Sequence, residues 1–483
     1  MNFITDVVER FPFGKPALLA IDASGERRVW HFSEMFAMSA GLSGAMAARG
    51  VHREDVVMTL IGSRVEWVLS MLACFRMGAV AMPCNPQLRR KDLELRVEVA
   101  KPVLCIGEER YLEQMPPGVA TLGMEDLATI LDEDLDQEPP AEAVDLDPAD
   151  PAAIIFTSGT TGEPRGVLYP QRYLTSQGAQ AEHWVGARED DLSWCTAAPG
   201  WAKSTRNLFI APWATGAAAM IHDGRFDPVQ RLELVEREGV NVLCQAPTEY
   251  RMLAKRAELR PIPGLRRLIS AGEPLNPEVI RLFRERVGVP IHDGYGQTET
   301  GAIAGMRPDD DDPSKDGSMG RPLPGIETRV EQGELQVKAS TVPTFFERYL
   351  GEEPFSGEWW PTGDQVRQDE DGYIWFEGRD DDIIVTAGYR VGPFEVESAL
   401  ISHPAVAEAA AVAAPDTERG SVVRAVVVLR DGSGSDELAT ELQEHVKSVT
   451  APYKYPRIVE FADELPKTPS GKIRRSALRD PSG

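Results

Sequence analysis

Glycines and hydroxyl-bearing residues crowd the segment 154–166, which reads Ile-Ile-Phe-Thr-Ser-Gly-Thr-Thr-Gly-Glu-Pro-Arg-Gly. Its apolar start predicts a buried strand, and the glycines behind it let the backbone approach oxygens that a Cβ would keep away. Exposed N–H groups and hydroxyls in such a turn are donors for phosphate oxygens. We therefore predict a polyphosphate-binding loop with contacts from Thr157, Ser158, Gly159, Thr160, Thr161, Gly162 and Arg165. The loop lacks the Gly-Lys-Ser/Thr ending of a Walker loop, and a ligand-free Gly/Thr-rich turn stays the alternative.

Four further segments follow in the chain. They are Tyr-Gly-Gln-Thr-Glu-Thr-Gly at 295–301, Trp-Pro-Thr-Gly-Asp at 360–364, Gly-Arg-Asp-Asp-Asp-Ile-Ile at 378–384 with Gly-Tyr-Arg-Val at 388–391, and Pro-Lys-Thr-Pro-Ser-Gly-Lys at 466–472. Together with the first segment they resemble, in the same order, the motifs of the adenylate-forming enzymes. This superfamily includes acyl-CoA synthetases, aryl-CoA ligases, luciferases and peptide-synthetase adenylation domains. The motifs are most similar to those of medium-chain acyl-CoA synthetases, and the resemblance covers nearly the whole chain.

Acyl activation explains the chemistry that these residues would perform. A carboxylate is a poor electrophile because its leaving group would be oxide, so it must first become a mixed anhydride with AMP. The resemblance implies that Lys472 bridges the carboxylate and the α-phosphate, where two anions repel each other. It also implies that Thr298 contacts the α-phosphate and that Glu299 holds Mg²⁺, an ion that binds largely through substrate phosphates and water. The expected ligands are a carboxylic acid, ATP, Mg²⁺ and coenzyme A.

The nucleoside part of ATP would contact a second group of residues. By resemblance, Asp364 accepts hydrogen bonds from the ribose hydroxyls, and Arg379 and Arg390 approach the nucleotide. The expected adenine slot and its surroundings comprise Gly272, Glu273, Pro274, Asp293, Gly294, Tyr295 and Gln297. A turn cap within Thr-Gly-Asp remains the alternative role of Asp364.

Small residues mark the expected acyl pocket. By resemblance, Gly296 stands where acetate-specific relatives carry a tryptophan, and each methylene that fills the space so opened contributes roughly 0.8 kcal/mol of burial. Gly-Trp-Ala-Lys-Ser at 200–204 resembles a stretch of medium-chain acyl-CoA synthetases. We predict a pocket of Trp201, Ala202, Ala271 and Gly296 for a medium-chain acid, with a short-chain, branched or aromatic acid as alternatives. If backbone geometry itself requires a glycine at 296, the identity of this residue gives no information about the size of the acid.

Thioester formation requires that the thiol reach the carbonyl after pyrophosphate has left. The resemblance implies that the C-terminal domain rotates about Asp381 and that Gly388 then leaves room for pantetheine. It also implies that a lysine acetyltransferase could modify Lys472, which would erase the charge that adenylation needs.

Composition limits the function classes. A chain of 483 residues exceeds one hydrophobic core, so two or more domains are expected. A formal net charge of −25 argues against nucleic acid and anionic membranes as partners. No apolar run reaches the roughly 18 residues of a membrane helix, and no signal-peptide pattern is present, so we predict a cytoplasmic protein with no integral membrane segment. The five cysteines are expected to be reduced and buried. The sequence leaves the oligomeric state open, with a homodimer as one option.

Two groups of charged residues outside the motifs are predicted to lie on the solvated surface. Arg474 and Arg475 follow Lys472 after one intervening residue, and we expect both on a solvated face. The four consecutive aspartates at 309–312 are expected to form a solvated loop rather than a metal site.

The expected fold class is α/β and multidomain. The resemblance implies a large N-terminal adenylating domain, residues 1–379, of layered α/β subdomains plus a distorted β-barrel, followed by a small mobile α+β lid domain, residues 380–483. Apolar strands at 56–61, 102–106, 218–221 and 240–244 alternate with helical stretches such as 67–75, which indicates parallel sheets. The acidic, proline-rich stretch 132–151 is interpreted as an exposed connector between two subdomains.

The C-terminal part shows its own pattern. Pro393 is predicted to open a short helix, because proline is tolerated in a first helical turn. Residues 405–414 and 422–429 predict strands, and apolar spacing predicts a helix over 435–449.

Three alternative functions use the same motifs. An acyl-AMP ligase could load a separate carrier protein, and a luciferase would need extra chemistry that leaves no identifiable motif. A non-enzymatic descendant should have lost Lys472, Glu299 or Asp364, and all three are present.

Overall fold

A computed structural model describes residues 1–133, 142–157, 164–386, 389–416, 419–467 and 473–479. The α-helices are α1 (Phe3–Asp6), α2 (Phe32–Ala48), α3 (Val65–Met77), α4 (Arg90–Ala100), α5 (Glu109–Leu112), α6 (Met124–Glu133), α7 (Gln171–Thr175), α8 (Gly178–Gln180), α9 (Ala202–Thr205), α10 (Ala211–Ala214), α11 (Pro228–Glu238), α12 (Pro247–Arg256), α13 (Pro277–Arg286), α14 (Pro393–Ile401), α15 (Asp436–Val449) and α16 (Ser476–Arg479).

The strands are β1 (Pro16–Ile21), β2 (Arg27–His31), β3 (Val56–Leu60), β4 (Val80–Pro83), β5 (Leu104–Gly107), β6 (Ala120–Leu122), β7 (Pro151–Phe156), β8 (Gly166–Pro170), β9 (Leu192–Cys195), β10 (Ala218–His222), β11 (Val242–Gln245), β12 (Arg267–Ala271), β13 (Ile291–Gln297), β14 (Gly301–Gly305), β15 (Arg321–Pro322), β16 (Thr328–Glu331), β17 (Glu334–Lys338), β18 (Arg348–Tyr349), β19 (Trp359–Gln368), β20 (Ile374–Arg379), β21 (Ile384–Thr386), β22 (Tyr389–Val391), β23 (Val406–Asp416), β24 (Gly420–Leu429) and β25 (Ile458–Phe461).

Two largely parallel sheets form the N-terminal part. One has the strand order β18-β8-β7-β4-β3-β5-β6, and the other has the order β15-β14-β13-β12-β11-β9-β10-β1-β2. Their central strands are buried on both faces, which explains why they are nearly continuous apolar runs in the sequence. The strands and helix expected from hydrophobic patterning are present, with bounds shifted by a few residues.

The acidic connector does not separate two subdomains. β6 precedes it and β7 follows it, and both strands belong to the same seven-stranded sheet. Its described part packs against the chain start, where the backbone N–H of Val144 donates to Arg76 O (3.0 Å) and Asn2 Nδ2 donates to Val144 O (2.9 Å). Residues 134–141 lie outside the described residues. Composition predicted an exposed link, but strand pairing across it depends on partners that composition does not reveal.

The aspartates at 309–312 are not all solvated. Asp310 is buried and its Oδ1 accepts hydrogen bonds from Arg321 Nη2 and from the Tyr373 hydroxyl, both at 2.8 Å. The expectation was wrong for this residue because Arg321 and Tyr373, which lie 11 and 63 positions further along the chain, donate hydrogen bonds to its carboxylate. In the described part of the chain, no group of three or more His, Cys, Asp or Glu side chains could hold a metal ion.

The antiparallel sheet β16-β17-β19-β20 leads into the C-terminal part. There β23, β24 and β25 form a mixed sheet, and Val396, Leu400, Leu442 and Val446 of α14 and α15 are buried in a hydrophobic cluster of this part. The helices that were expected from Pro393 and over 435–449 are α14 and α15. These features confirm the α/β multidomain class with a small, mixed C-terminal domain.

Two further expectations concern cysteines and membranes. All five cysteines are free and buried, as predicted, and burial raises the pKa of the Cys74 thiol to about 12. None of the described helices has both the length and the apolar content that crossing a bilayer requires.

Glycines let a tryptophan pack directly on the strands β13 and β14. A Cβ at Gly294 would lie 2.3 Å from Trp184 Nε1, and a Cβ at Gly305 would lie 2.5 Å from Trp184 Cδ1. The indole of Trp184 is itself buried, so it has little space to move away. These two glycines therefore fix the distance between the tryptophan and the hairpin that follows Asp293.

Overpacking at this contact gives a stability prediction. Gly305→Ala should lower the free energy of unfolding by about 1–3 kcal/mol, because the added methyl group overlaps a buried indole. Gly44→Ala is the matched control: it adds the same methyl group in the interior of α2, where a Cβ meets nothing within 4 Å. It should stabilise the protein by about 0.5–1 kcal/mol. Thermal melting midpoints that move in the same direction for both variants would contradict this account.

Candidate active site

A large cleft of about 1710 Å³ lies between the N-terminal sheets and the C-terminal domain. Most of the residues that the sequence nominated line it: Thr157, Arg165, Trp201, Ala202, Gly272, Glu273, Pro274, Asp293, Gly294, Tyr295, Gly296, Gln297, Thr298, Glu299, Asp364, Arg379 and Asp381. Ala271 and Arg390 do not line it. Ser158, Gly159, Thr160, Thr161, Gly162, Gly388 and Lys472 lie outside the described residues.

The cleft wall contains a buried carboxylate, that of Asp364 on β19. Its Oδ2 accepts from the Tyr295 hydroxyl and from Gln297 Nε2 (3.0 Å), and its Oδ1 accepts from Arg379 Nη1 (3.0 Å). Asp364 and Arg379 are direct cross-strand partners on β19 and β20. Burial raises the pKa of Asp364, and Arg379 and the neutral donors oppose this shift. The carboxylate is thus held in one orientation at the cleft wall.

A second buried carboxylate has weaker support. Asp293 on β13 is 3% exposed, and its Oδ1 has no hydrogen-bond partner among the described residues. Burial raises the pKa of Asp293 to about 8, although the Gly294 N–H and the Lys203 charge favour the ionised form. Near neutral pH this residue is therefore largely protonated and can donate as well as accept a hydrogen bond.

The residues expected at the α-phosphate and at Mg²⁺ are held by two tyrosines. The buried Tyr169 hydroxyl donates to Thr298 O (2.5 Å), and the Tyr349 hydroxyl donates to Glu299 Oε1 (2.7 Å). Burial, and then the Glu299 carboxylate, raise the pKa of Tyr349, so the hydroxyl keeps its proton. Both tyrosines lie on strands of the seven-stranded sheet, so residues 298–299 are held against that sheet.

Arg165 reaches the cleft but is already paired. Its guanidinium donates to both oxygens of Glu352, with Nη2 at 2.7 and 2.6 Å, and lies 3.3 Å from the centre of the Tyr349 ring. The planar guanidinium can stack on the ring while its edge donates to the carboxylate. Arg390 lies outside the cleft because its Nη2 donates to Asp380 Oδ1 (3.0 Å).

The expected acyl pocket is brought together only in part. Trp201 and Ala202 line the cleft with Met319 and Phe376, which gives it apolar surface. Ala271 does not line the cleft, and its carbonyl accepts from Lys203 Nζ (3.2 Å).

Backbone geometry alone accounts for the glycine at 296. A Cβ at Gly296 would lie 1.9 Å from Gly301 O, at the irregular pairing between β13 and β14. This glycine therefore carries no information about acyl chain length.

Sequence reasoning missed several residues of the site. Tyr169, Tyr349 and Lys203 lie outside the motif positions that were singled out, although Lys203 belongs to the quoted stretch 200–204. Arg475 was expected on a solvated face, and this was wrong. Its guanidinium makes paired bonds to Glu397, which is 3% exposed, with Nη2 at 2.8 and 2.7 Å from the two carboxylate oxygens. Arg474 is exposed, as expected.

Comparisons with known proteins agree with this geometry. Residues 4–352 match the family described as AMP-binding enzyme, and residues 395–472 match the AMP-binding enzyme C-terminal domain. The chain therefore belongs to the family of AMP-binding enzymes, and it is an AMP-forming ligase.

Particular relatives are similar along nearly their whole length. The uncharacterized acyl–CoA ligase YtcI of Bacillus subtilis (strain 168) is 40% identical over 501 residues, covering 96% of this chain and 93% of the relative. The mitochondrial acyl-coenzyme A synthetase ACSM3 of Mus musculus is 36% identical over 535 residues, covering 99% and 90%. A benzoate CoA ligase from Burkholderia xenovorans LB400 superposes with a TM-score of 0.87 at 28% identity, covering 99% of this chain and all (100%) of that structure.

The raised pKa of Asp293 gives a pH prediction. The folded state holds this proton up to about pH 8, whereas an unfolded aspartate releases it near its usual value of 3.8. The folded state therefore binds more protons between these values, and Asp293 makes stability fall as pH rises, by up to about 1.4 kcal/mol per pH unit.

Asp293→Asn should remove this contribution. Melting midpoints of the variant, measured from pH 5 to 8, should decline less steeply than those of the wild type and should exceed them at pH 8. Parallel curves would show that Asp293 is ionised in the folded protein.

Proposed function

We propose that this ligase converts a carboxylic acid and ATP to an acyl-adenylate and pyrophosphate, and then transfers the acyl group to coenzyme A. The observation that carries the proposal is that Asp364, Arg379, Tyr295 and Gln297 form one bonded cluster in the cleft that Thr298, Glu299 and Trp201 also line. Such a cluster presents a fixed carboxylate to a diol, which suits the ribose of ATP. The relatives described above, which are named as acyl–CoA and benzoate CoA ligases, support the same acceptor.

The cleft residues have separate roles in this proposal. Asp364 accepts hydrogen bonds from the ribose hydroxyls, and the protonated Asp293 hydrogen-bonds the adenine edge. Thr298 donates to the α-phosphate. Lys472 bridges the carboxylate and the α-phosphate, so that its positive charge offsets the repulsion between two anions in the transition state.

Glu299 is the proposed Mg²⁺ ligand. Carboxylate oxygen is a ligand that Mg²⁺ prefers, and a single carboxylate suffices when ATP phosphates and water complete the shell. Glu299 fits because it lines the cleft next to Thr298 and is fixed through Oε1 by Tyr349. When bound, the ion would neutralise charge on the phosphates.

We propose a medium-chain acid as the substrate. Trp201, Met319 and Phe376 supply apolar surface for a carbon chain, and the stretch 200–204 resembles medium-chain synthetases. The structural likeness to a benzoate CoA ligase favours an aromatic acid as the second candidate.

An acid panel tests this function. AMP release should be measured with ATP, Mg²⁺ and each acid from acetate to dodecanoate plus benzoate, with and without coenzyme A. The expected result is CoA-dependent turnover that is highest between six and ten carbons. A maximum with benzoate would support the aromatic alternative, and a maximum with acetate would refute a pocket for longer acids. Adenylate formation without thioester release would point to a carrier protein as acceptor.

Two variants should separate the half-reactions. Lys472→Gln carries the neutral amide character that lysine acetylation would leave, and it should lower acid-dependent ATP–pyrophosphate exchange by at least roughly 10²-fold, the effect typical of one lost electrostatic donor. It should still convert supplied acyl-adenylate to thioester. Asp381→Pro restricts rotation at the proposed hinge, so it should keep exchange and slow thioester formation. Equal losses of both half-reactions in either variant would refute the role assigned to that residue.

A further inference from the structure

Arg475 joins three parts of the C-terminal region. Its paired hydrogen bonds to Glu397 attach the segment 473–479 to α14, and its Nη1 lies 3.6 Å from Asp382 Oδ2, one residue after the proposed hinge. Glu397 Oε1 also accepts from the backbone N–H of Ala411 (2.9 Å), so the carboxylate is fixed from a second side. Paired bonds between a guanidinium and a carboxylate are among the strongest and most directional side-chain contacts.

Arg479 reinforces the contact with the hinge segment. Its Nη2 donates to Asp381 O (2.9 Å) and to the Asp382 carboxylate. Arg479 thus contacts both Asp381 and Asp382, and Arg475, four residues earlier on the same short segment, contacts Asp382. The hinge segment and this segment are attached to each other as well as to α14.

The chain on both sides of residues 468–472 is tied together. Lys467 and Ile473 form an antiparallel bridge, and the Arg474 N–H donates to Pro466 O (2.8 Å). Ile473 and Leu478 also pack on a small cluster formed by Ala410, Val426 and Leu465. Three peptide units span at most roughly 11 Å, so fixing Arg475 restricts where a residue three positions earlier can lie.

The helix that receives Arg475 also touches the N-terminal part. Ser398, next to Glu397 on α14, accepts a hydrogen bond from Asn276 Nδ2 (3.2 Å), and Phe394 packs on Phe376 with ring centres 6.3 Å apart. A continuous set of contacts thus runs from the segment after Lys472, through Arg475 and α14, to the wall of the cleft.

We propose that Arg475 is a positioning residue for adenylation, which acts by holding the segment that follows Lys472 on Glu397 and Asp382. The proposal rests on the role proposed above for Lys472. Thioester formation should be spared when Arg475 is replaced, because Arg479 still holds the hinge residues Asp381 and Asp382 and the proposed function uses Lys472 only while the two anions react.

The test compares half-reactions in a charge-balanced variant. Removing Arg475 alone would leave Glu397 as an unpaired buried charge and could unfold the domain. The variant Arg475→Gln/Glu397→Gln removes the ion pair without leaving that charge. It should lower acid-dependent ATP–pyrophosphate exchange by roughly 10–100-fold, the range expected when a catalytic group is misplaced by about an ångström. Conversion of supplied octanoyl-adenylate and CoA should change less than twofold, and the melting profile should stay cooperative.

Two further variants distinguish an effect of the Arg475–Glu397 pair from an effect of removing any positive charge. Arg457→Gln removes the same charge from an exposed arginine of the C-terminal domain that does not line the cleft, and it should keep exchange within about twofold of the wild type. Arg475→Lys should recover only part of the loss, because a lysine cannot make the paired bonds. Equal losses in both half-reactions of the double variant, or equal effects of Arg457→Gln and the double variant on exchange, would overturn the proposal.

Lys472→Gln is measured in parallel, with octanoate or the panel acid that turns over fastest. If Lys472→Gln loses exchange and the double variant keeps it, the inference about Arg475 fails and the proposed function stands. If Lys472→Gln keeps exchange, the role proposed for Lys472 fails and the role of Arg475 fails with it.

Discussion

The hydrogen-bonded carboxylate of Asp364 connects the main parts of the molecule. Two of its partners, Tyr295 and Gln297, belong to β13 of the nine-stranded sheet, and Arg379 ends β20 of the antiparallel sheet directly before the C-terminal domain. A buried charge needs such partners, because an unpaired one is strongly disfavoured away from water. Because the Asp364 carboxylate must keep these hydrogen bonds, the two sheets meet at the cleft in a fixed arrangement. The same hydrogen bonds fix the point at which the chain leaves the sheets and enters the C-terminal domain.

Close backbone packing sets the shape of the same region. Gly294 and Gly305 lie against Trp184, and Gly296 lies against Gly301, at distances that leave no room for a side chain. Protein interiors are packed at the density of organic crystals, so strands that meet at such contacts move little. The residues that face the cleft from β13 are consequently held by a rigid support rather than by a loop.

Three arginines of the cleft are paired with carboxylates in a protein whose formal net charge is −25. Arg165 is bonded to Glu352, Arg379 to Asp364, and Arg475 to Glu397. Each pair fixes a long side chain in one orientation. The three pairs differ in setting, since the first is half exposed whereas Asp364 and Glu397 are buried. The buried pairs contribute defined geometry, and the exposed pair contributes little stability.

The sequence by itself determined the enzyme family, the α/β class, the main strands and helices, and part of the cleft lining, including Thr298, Asp364 and Arg379. Their chemistry is encoded in short motifs, and apolar periodicity reports burial directly. The tertiary structure alone decided that residues 132–151 join two strands of one sheet, that Gly296 is required by Gly301, and that Arg475 is paired with the buried Glu397. It also supplied the partners Tyr349 for Glu299 and Glu397 for Arg475, which are separated by 50 and 78 positions in the chain. Such pairs form because packing brings distant segments together, and no local pattern in either segment specifies the other.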